Sequence, residues 1–429
     1  IGWCDWSSDV CSSDLMVSVP FSVLTLFDEP RLSQIAARAY TAQRHPAMPP
    51  IARKSERQGD KIHIAYMSAD FRDHPVSYLM MDTLKGHDRS RFKVTGIEIA
   101  PPDRGPVGRQ VREACDVFIE GTTYSDEQIA ALIAEQQVDI VVDLMGHTRN
   151  ARPGILALRP APVQVNYLGY PGTMGAPYMD YLIADPVIAH IPEHFDEKLC
   201  LLPDTYLPTS VLADGDVAPT RAGAGLPEEE FVFSSFCNNW KITPDVFAIW
   251  MRLLKKVEGS VLWLPAKNDD VQENLRRSAG KAGVDPARIV FAPRVNKHAD
   301  HIARQNLADV MLDTFPYGAH TTTADALWVG LPLVTRSGES FYSRVARSLL
   351  KAANLEQYAT DTPEAYEALA LELATNPASL KAAREAFGQA RKSPLFDTER
   401  FVANLEAAYT QMFERTQGGL QPESFTVRT

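Results

Sequence analysis

The stretch VMLDTFPYGAHTTTADALWV, residues 310–329, decides the fold. Its first three residues, Val310–Leu312, predict a buried strand, and residues 326–329 read as part of a helix. A loop that contains Gly318 joins the two. Strand, glycine-containing loop and helix start form the repeating unit of a doubly wound parallel sheet.

The start of this helix is a candidate anion site. Free backbone N–H groups and the positive end of the helix dipole favour a negative group there. Thr321, Thr322 and Thr323 add hydroxyl donors, and His320 adds a titratable ring. The segment therefore suits a diphosphate, although a threonine that only caps the helix would give the same sequence.

The alternation of strand and helix extends over most of the chain. Strands are predicted at 62–67, 92–97, 139–144, 163–168, 231–236, 261–264, 289–292, 310–312 and 333–335. Helices are predicted at 76–84, 126–137, 244–256, 271–282, 301–307, 322–329, 342–352 and 398–413. The pattern predicts an α/β protein with two Rossmann-like, doubly wound halves and a cleft between them.

Breaks in the pattern suggest the domain boundaries. Between about 203 and 228 the periodicity lapses, and prolines and glycines indicate a linker. The predicted organisation is an N-terminal helical segment with a linker (16–57), a Rossmann-like domain (58–205), a linker (206–228), a second Rossmann-like domain (229–393), a C-terminal helix (394–418) and a flexible tail (419–429).

The first fifteen residues, IGWCDWSSDVCSSDL, look like a translated sequencing adapter rather than protein. They have neither a helical nor a strand period, nor the apolar core of a signal peptide. We therefore expect that the true N-terminus is missing and that Met16 need not be the start. The other cysteines, Cys115, Cys200 and Cys237, fit a reducing cytoplasm rather than a disulfide framework.

Composition excludes several classes of function. Hydrophobic and charged fractions of 45% and 23% are ordinary for a soluble globular protein, and a net charge of −11 argues against a nucleic-acid surface. No apolar run is long enough to span a membrane. Dinucleotide, P-loop and zinc motifs are missing. The one Asp-x-Asp, Asp214–Asp216, lies in the predicted linker, which disfavours a metal-dependent sugar transferase.

Ligands of doubly wound sheets bind at the carboxyl ends of the strands, and two short runs lie there in the first half. Asp70 and His74 follow the first strand, where they could act as a general base and its partner, or as a helix cap and a surface histidine. Leu168, Gly169 and Pro171 follow a later strand. Glycine there allows close approach to a ligand, although the same residues could form a simple turn.

Two further runs lie in the second half. Asn238 and Lys241 precede a helix that Thr243 would cap, and a cation at a helix start is unfavourable unless an anion binds. A solvated lysine is the alternative. His301 and Arg304 are one helical turn apart, so they could grip a base or ribose, or simply face solvent.

Taken together and in this order, these runs resemble the catalytic region of the O-GlcNAc transferase / SPINDLY family of bacterial type. The similarity extends from about Lys61 to Phe413 and includes Leu158–Pro162, Leu307–Val310 and Pro394–Phe396. It implies a GT-B glycosyltransferase that is metal-independent, needs no cofactor and inverts the anomeric centre. The implied reaction moves GlcNAc from UDP-GlcNAc to Ser/Thr hydroxyls of proteins in the cytoplasm. Family members usually carry tetratricopeptide repeats upstream.

The resemblance also implies roles for the candidate residues. Lys241, Thr321 and Thr322 would hold the departing diphosphate. His320 and Asp325 match the run that contacts the donor, with Asp325 on the ribose. His301 and Arg304 match the face against uracil, and Leu168, Gly169 and Pro171 match the loop along the sugar. Asp70 and His74 match positions near the reacting centre, and Asp70 is the leading choice to take the acceptor proton, directly or through water.

Two departures from the family pattern concern the donor and the activity. Phe21 stands where many members carry a histidine, and Asn238 replaces a glutamine near the nucleotide. Three alternatives therefore stay open. One is a protein O-fucosyltransferase that uses GDP-fucose, another is a non-catalytic scaffold that binds a nucleotide sugar, and the third is a nucleotide-sugar epimerase of the same shape.

Overall fold

The computed structural model describes residues 18–53, 57, 59–102, 104–210, 219–266, 268–295 and 297–428. The adapter-like segment 1–15 and the Asp214–Asp216 motif lie outside the described residues. Two short helices, α1 (Pro20–Leu24) and α2 (Pro30–Arg44), come first. Each begins with a proline at its first position, where the missing N–H costs nothing.

The first half is a parallel sheet that is flanked by helices. Its strands are β1 (Ile62–Ser68), β2 (Phe92–Glu98), β3 (Val117–Glu120), β4 (Ile140–Asp143), β5 (Val163–Asn166), β6 (Tyr181–Ala184) and β7 (Lys198–Leu201). Its helices are α3 (Pro75–Gly86), α4 (Pro106–Glu113), α5 (Asp126–Glu135) and α6 (Pro153–Ala157). The apolar strand β1 is buried along its whole length, as expected when helices cover both faces.

The second half repeats this design. Its strands are β8 (Val232–Ser234), β9 (Val261–Pro265), β10 (Ile289–Ala292), β11 (Val310–Leu312), β12 (Leu333–Arg336) and β13 (Ala359–Thr360). Its helices are α7 (Pro244–Lys256), α8 (Asp269–Lys281), α9 (His298–Ala303), α10 (Thr321–Val329), α11 (Phe341–Ala352), α12 (Pro363–Thr375) and α13 (Pro377–Phe387). The strand order is β10-β9-β8-β11-β12-β13, and every recorded pair is parallel.

The chain ends on the first half rather than on the second. Helix α14 (Thr398–Gln417) packs on it, and the buried Tyr66 hydroxyl donates to the Tyr409 hydroxyl oxygen at 3.2 Å. Strand β14 (Phe425–Thr426) then adds to the edge of the first sheet, whose order is β14-β7-β6-β5-β4-β1-β2-β3.

The predicted flexible tail is wrong for this last strand. Phe425 pairs in parallel with Cys200, and the neighbouring Leu199 N–H donates to Ser424 Oγ at 2.9 Å. Val427 is buried. The tail is held because it covers backbone donors that an open edge of β7 would leave unpaired.

The α/β architecture with two parallel sheets confirms the predicted fold class, while the domain boundaries stay predictions. The helix predicted at 301–307 is different in the structure, since α9 ends at Ala303 and residues Arg304–Leu307 form a 3₁₀ turn. None of the helices in the described ranges is at once long and apolar enough to cross a membrane.

A buried carboxylate joins the two halves. Asp185, just after β6, accepts hydrogen bonds from the N–H groups of Val187 at 2.9 Å and Tyr206 at 3.0 Å. From the second half, the Ser348 hydroxyl of α11 also donates to Asp185, at 2.6 Å. This one side chain therefore connects the end of β6, the segment that contains Tyr206, and helix α11 of the second half.

Replacing Asp185 by alanine should lower the free energy of unfolding by about 2–4 kcal/mol, because buried N–H groups lose their acceptor. Asp204→Ala is the control, since Asp204 pairs with the half-exposed Arg400 and should cost less than about 1 kcal/mol. Urea denaturation measures both values. Equal losses in the two variants would contradict this role for Asp185.

Candidate functional site

Asp313 directly follows β11 and organises the loop that precedes α10. Its side chain is fully buried. Oδ1 accepts from the N–H groups of Thr314 and Ala319, both at 2.7 Å, and Oδ2 accepts from Thr335 Oγ1 at 2.6 Å. Sequence reasoning missed this residue, although an acid directly after a buried strand and before a glycine loop is a usable signal.

These hydrogen bonds leave little room inside the loop. A Cβ added to Gly318 would lie 3.2 Å from Asp313 Oδ2 and 3.4 Å from the Tyr342 carbonyl oxygen. The buried Tyr317 ring stacks on His320 at 5.0 Å and on Tyr342 at 5.5 Å. The loop is thus a packed, aromatic-lined turn rather than an open one.

His320 is a neutral ring in this loop. Its Nε2 lies 3.2 Å from the Tyr342 carbonyl oxygen, so Nε2–H is the donor there and Nδ1 carries no proton. Burial lowers the pKa of His320 to about 3, and the nearby Lys241 cation contributes to this lowering. The residue therefore offers an uncharged nitrogen at neutral pH.

The first turn of α10 keeps two threonines available. In the described part of the chain, no hydrogen bond engages the hydroxyls or N–H groups of Thr321 and Thr322 as donors. Both residues are half-buried. The expectation that three threonines would offer donors is wrong for Thr323, because its hydroxyl donates to the Ala319 carbonyl oxygen at 3.2 Å.

Lys241 lies directly against the same loop. It ends a 3₁₀ turn (Asn239–Lys241) before Thr243, the N-cap of α7. Its Nζ donates to the Gly318 carbonyl oxygen at 2.7 Å and lies 4.0 Å from the centre of the Tyr317 ring. Burial lowers the pKa of Lys241. The structure thus brings together the cation and the helix start that the sequence singled out.

Asn238 begins this turn and is exposed, and its carbonyl oxygen accepts from the Lys241 N–H at 2.9 Å. Beside it, Trp240 is 43% exposed and meets Tyr317 edge-on at 5.2 Å. Phe21 of α1 packs near both rings, with ring centres 6.0 Å apart in each case. Phe21 is therefore part of the aromatic wall beside Lys241.

The loop after β5 reaches the site from the first half. Leu168 has a positive φ of 68°, and a Cβ on Gly169 would lie 1.9 Å from the Leu144 carbonyl oxygen. Glycine is therefore required at 169. Tyr170 belongs to one buried apolar cluster with Tyr317, so the two loops are in contact.

Pro171 lies at the far side of that contact. It lines a small cavity of about 20 Å³, together with Gly172, Thr173 and residues of α2 and α11. The structure therefore brings Leu168 and Gly169 towards the His320 loop, while Pro171 faces this separate space.

Asp325 faces a second small cavity, of about 20 Å³, that Thr321 also lines. The side chain lies one helical turn after Thr321 and is buried. Burial raises the pKa of Asp325 to about 8. Thr321 and Asp325 thus present a helix start and a carboxyl group to one space.

His301 and Arg304 contact each other, but Arg304 is turned into the protein. Its Nη2 donates to His301 Nδ1 at 2.8 Å, and its Nη1 donates to the Pro293 carbonyl oxygen at 2.5 Å. The guanidinium also lies 5.0 Å from the centre of the Phe236 ring. Arg304 therefore positions His301, and it is His298, one turn earlier, that lines the Asp325 cavity.

Asp70 and His74 lie at the carboxyl end of β1, as predicted. Asp70 is buried, and its Oδ1 accepts from Arg72 Nη2 at 2.8 Å. His74, not Asp70, caps α3, since its Nδ1 accepts from the Val76 N–H at 3.3 Å. Burial lowers the pKa of His74, while the Asp70 charge 3.6 Å away raises it.

This pair belongs to the first half, whereas Lys241 and His320 belong to the second. The described residues show no hydrogen bond between Asp70 or His74 and Lys241 or His320. Helix α3, which His74 caps, carries Tyr78 into the Asp325 cavity. Helix α3 of the first half and the start of α10 in the second half therefore both line this cavity.

Asp28 anchors the N-terminal segment beside the site, and the sequence analysis did not single out this residue. Asp28 Oδ1 accepts from the N–H groups of Glu339 at 3.1 Å and Ser340 at 3.0 Å. Its Oδ2 lies 3.4 Å from Arg336 Nη1. Asp28 thus occupies the N-terminus of α11, and this anchors α1 beside Tyr317.

Comparison with known proteins finds similar sequences and structures. The model of Glycosyl transferase family 41 matches residues 41–210 and 208–405. The probable UDP-N-acetylglucosamine--peptide N-acetylglucosaminyltransferase SEC of Arabidopsis thaliana is 36% identical over 396 residues, 89% of this chain and 40% of that protein. The probable UDP-N-acetylglucosamine--peptide N-acetylglucosaminyltransferase SPINDLY of rice (Oryza sativa subsp. japonica) is 34% identical over 370 residues, 84% of this chain and 40% of that protein. The chain thus spans about 40% of these relatives' length.

Solved structures show the same architecture. A point mutant of the Thermobaculum terrenum O-GlcNAc transferase superposes with a TM-score of 0.84 at 27% identity, covering 93% of this chain and 77% of that one. The sucrose-phosphate synthase of Thermosynechococcus elongatus, at 13% identity and a TM-score of 0.57, covers 82% of this chain and 100% of that one and shares the fold alone. These matches confirm the predicted resemblance and the GT-B architecture.

Asp325→Asn should stabilise the protein increasingly as pH rises from about 4 to about 8. A carboxyl group whose pKa is raised on folding contributes stability below its unfolded value and loses it as pH rises to the folded value. Asparagine does not titrate, so the difference in Tm between variant and wild type should grow over this range and then level off. A difference that stays constant between about pH 5 and pH 8 would contradict the buried, unpaired state of Asp325.

Proposed function

Since the chain belongs to glycosyl transferase family 41, we propose that it transfers N-acetylglucosamine from UDP-N-acetylglucosamine to serine and threonine hydroxyls of proteins. The relatives SEC and SPINDLY are named as probable transferases of N-acetylglucosamine from UDP-N-acetylglucosamine to peptides, which supports this proposal. The observation that carries the proposal is the placement of Lys241 against Gly318, next to the start of α10, where Thr321 and Thr322 donate no hydrogen bond within the described part of the chain. A half-buried cation beside a helix start suits a diphosphate.

The diphosphate would replace the carbonyl partner of Lys241. A phosphate oxygen is a stronger acceptor than the Gly318 carbonyl because it is charged. Burial disfavours the ammonium form of Lys241, so an arriving anion restores the favourable charged state. Thr321 and Thr322 would add N–H and hydroxyl donors. Together these groups stabilise the charge on departing UDP, and the step uses no metal.

Asp70 would act on the acceptor hydroxyl as the general base. The acceptor oxygen bonds to the anomeric carbon as the bond to the phosphate oxygen breaks on the opposite face, so the configuration inverts. The hydroxyl proton goes to Asp70, directly or through one water. Arg72 holds Oδ1 of this carboxylate, which leaves Oδ2, beside His74, as the oxygen that takes the proton.

The remaining candidates would orient the donor. Asp325 would accept hydrogen bonds from the ribose, and His301, braced by Arg304, would face uracil. Leu168 and Gly169, which approach the His320 loop through Tyr170, would lie along the sugar, with Pro171 behind them. Asn238 would lie near the nucleotide. The described cysteines are unpaired, which supports a reducing, cytoplasmic setting.

Lys241→Ala should weaken UDP binding by about tenfold to a hundredfold, because one hydrogen bond to a charged group is lost. Isothermal titration calorimetry with UDP measures this loss. Lys255→Ala is the control, since Lys255 is exposed near the far end of α7 and should leave affinity unchanged. Tighter binding of GDP than of UDP, or equal affinity in Lys241→Ala, would contradict the proposed donor site.

Asp70→Asn should lower the rate of transfer by at least about a hundredfold and leave UDP affinity within about twofold, because it removes a proton acceptor and no donor contact. The assay is transfer of isotope-labelled GlcNAc to a bacterial protein extract. If wild-type protein binds UDP but labels no protein, the chain is a nucleotide-sugar-binding scaffold and not a transferase. Turnover of the free nucleotide sugar without an acceptor would instead identify an epimerase.

A further inference from the structure

An aromatic pair bridges the two halves beside the Asp325 cavity. Tyr78 on the first turn of α3 and His298 at the start of α9 have ring centres 4.1 Å apart and planes inclined by only 9°. The Tyr78 hydroxyl donates to Asp73 Oδ1 at 2.8 Å, which fixes the position of the ring. Neither residue was singled out by the sequence, and neither has a role in the transfer step proposed above.

This pair is a wall of the cavity that should hold the nucleotide. Tyr78 and His298 line the cavity together with Thr321 and Asp325, and the remaining lining residues are Leu79, Thr209, Ser210, Ala324 and Phe396. The enclosed space of about 20 Å³ has room for about one water molecule, far below the range of about 300–1,000 Å³ that ligand sites occupy. A nucleoside diphosphate that reaches both Thr321 and Asp325 must therefore widen or pass this wall.

The chemistry of the two rings favours a stable but reversible contact. Burial lowers the pKa of His298, although the Asp73 charge opposes this, so the imidazole is neutral at physiological pH. Burial also raises the pKa of Tyr78 to about 12, which keeps its hydroxyl protonated and bonded to Asp73. A neutral, nearly parallel pair of rings is held by stacking rather than by charge.

We propose that the Tyr78–His298 pair is a clasp between the two halves that must part each time a nucleoside diphosphate enters or leaves the Asp325 cavity. This inference rests on the proposed function, because it assumes that the cavity takes the nucleotide part of the donor. The clasp then sets the exchange rates of the nucleotide rather than its affinity. Release of the UDP product is the step that it would control most directly.

Stopped-flow kinetics on the full chain tests the clasp, with UDP that carries a fluorescent group on its terminal phosphate as the probe. His298→Ala should raise the association and dissociation rate constants together by about twofold to tenfold, the range that corresponds to one aromatic pair. The equilibrium affinity should change by less than about twofold, since both rates rise. His298→Phe keeps a flat ring and should restore rates near those of the wild type.

Tyr78→Phe is the matched variant on the other ring. It removes the hydroxyl bond to Asp73 but keeps the stacked surface, so its rates should stay closer to the wild type than those of His298→Ala. Circular dichroism melting shows which variants are folded. If His298→Ala does not fold, the rates of folded His298→Phe and Tyr78→Phe are compared with the wild type instead.

The outcomes separate the clasp from the proposed function. Unchanged rates in a folded His298→Ala protein, or a rise in dissociation alone, would overturn the clasp, because the second result means a direct contact with the ligand. If His298→Phe behaves like His298→Ala, stacking is not the cause and the clasp is equally overturned. Failure of the wild-type protein to bind the labelled UDP would instead overturn the donor site itself.

Discussion

The buried carboxylate of Asp313 is the constraint on which the candidate site depends. A carboxylate out of contact with water is unfavourable by several kcal/mol unless its oxygens are hydrogen-bonded. Asp313 meets this requirement through Thr314, Ala319 and Thr335, and so it bends the chain after β11 into a closed loop. The carbonyl group of Gly318 is then presented to Lys241.

The rest of the molecule supports that loop from three directions. Asp28 holds the N-terminal segment to α11, and Phe21 of this segment packs against the Tyr317 ring. Tyr170 brings the β5 loop of the first half against the same aromatic cluster. Asp185 ties the two halves together through Ser348. The cleft is therefore built from contacts that each link segments distant in the sequence.

Much of the architecture could be predicted from the sequence, because strands buried on both faces are short apolar runs and the intervening helices have a clear period. The short strand β3 has an apolar run of only three residues, is partly exposed and was not predicted. The site was harder to predict, since spacing does not show where a side chain points. His301 and Arg304 have the predicted spacing, yet Arg304 turns inward to Pro293. The roles of Asp313 and Asp28 depend on contacts between distant residues, which one sequence cannot reveal.

We propose that the loop held by Asp313 and the start of α10 together form a diphosphate-binding site. A crystal structure of the protein with UDP tests it most directly. Phosphate oxygens should lie about 3 Å from the N–H groups of Thr321 and Thr322. Lys241 Nζ should turn from the Gly318 carbonyl oxygen to the diphosphate, and the Asp313 hydrogen bonds should be unchanged. A diphosphate bound elsewhere, for example in the groove that Arg252 and Arg336 line between α1 and α7, would contradict it.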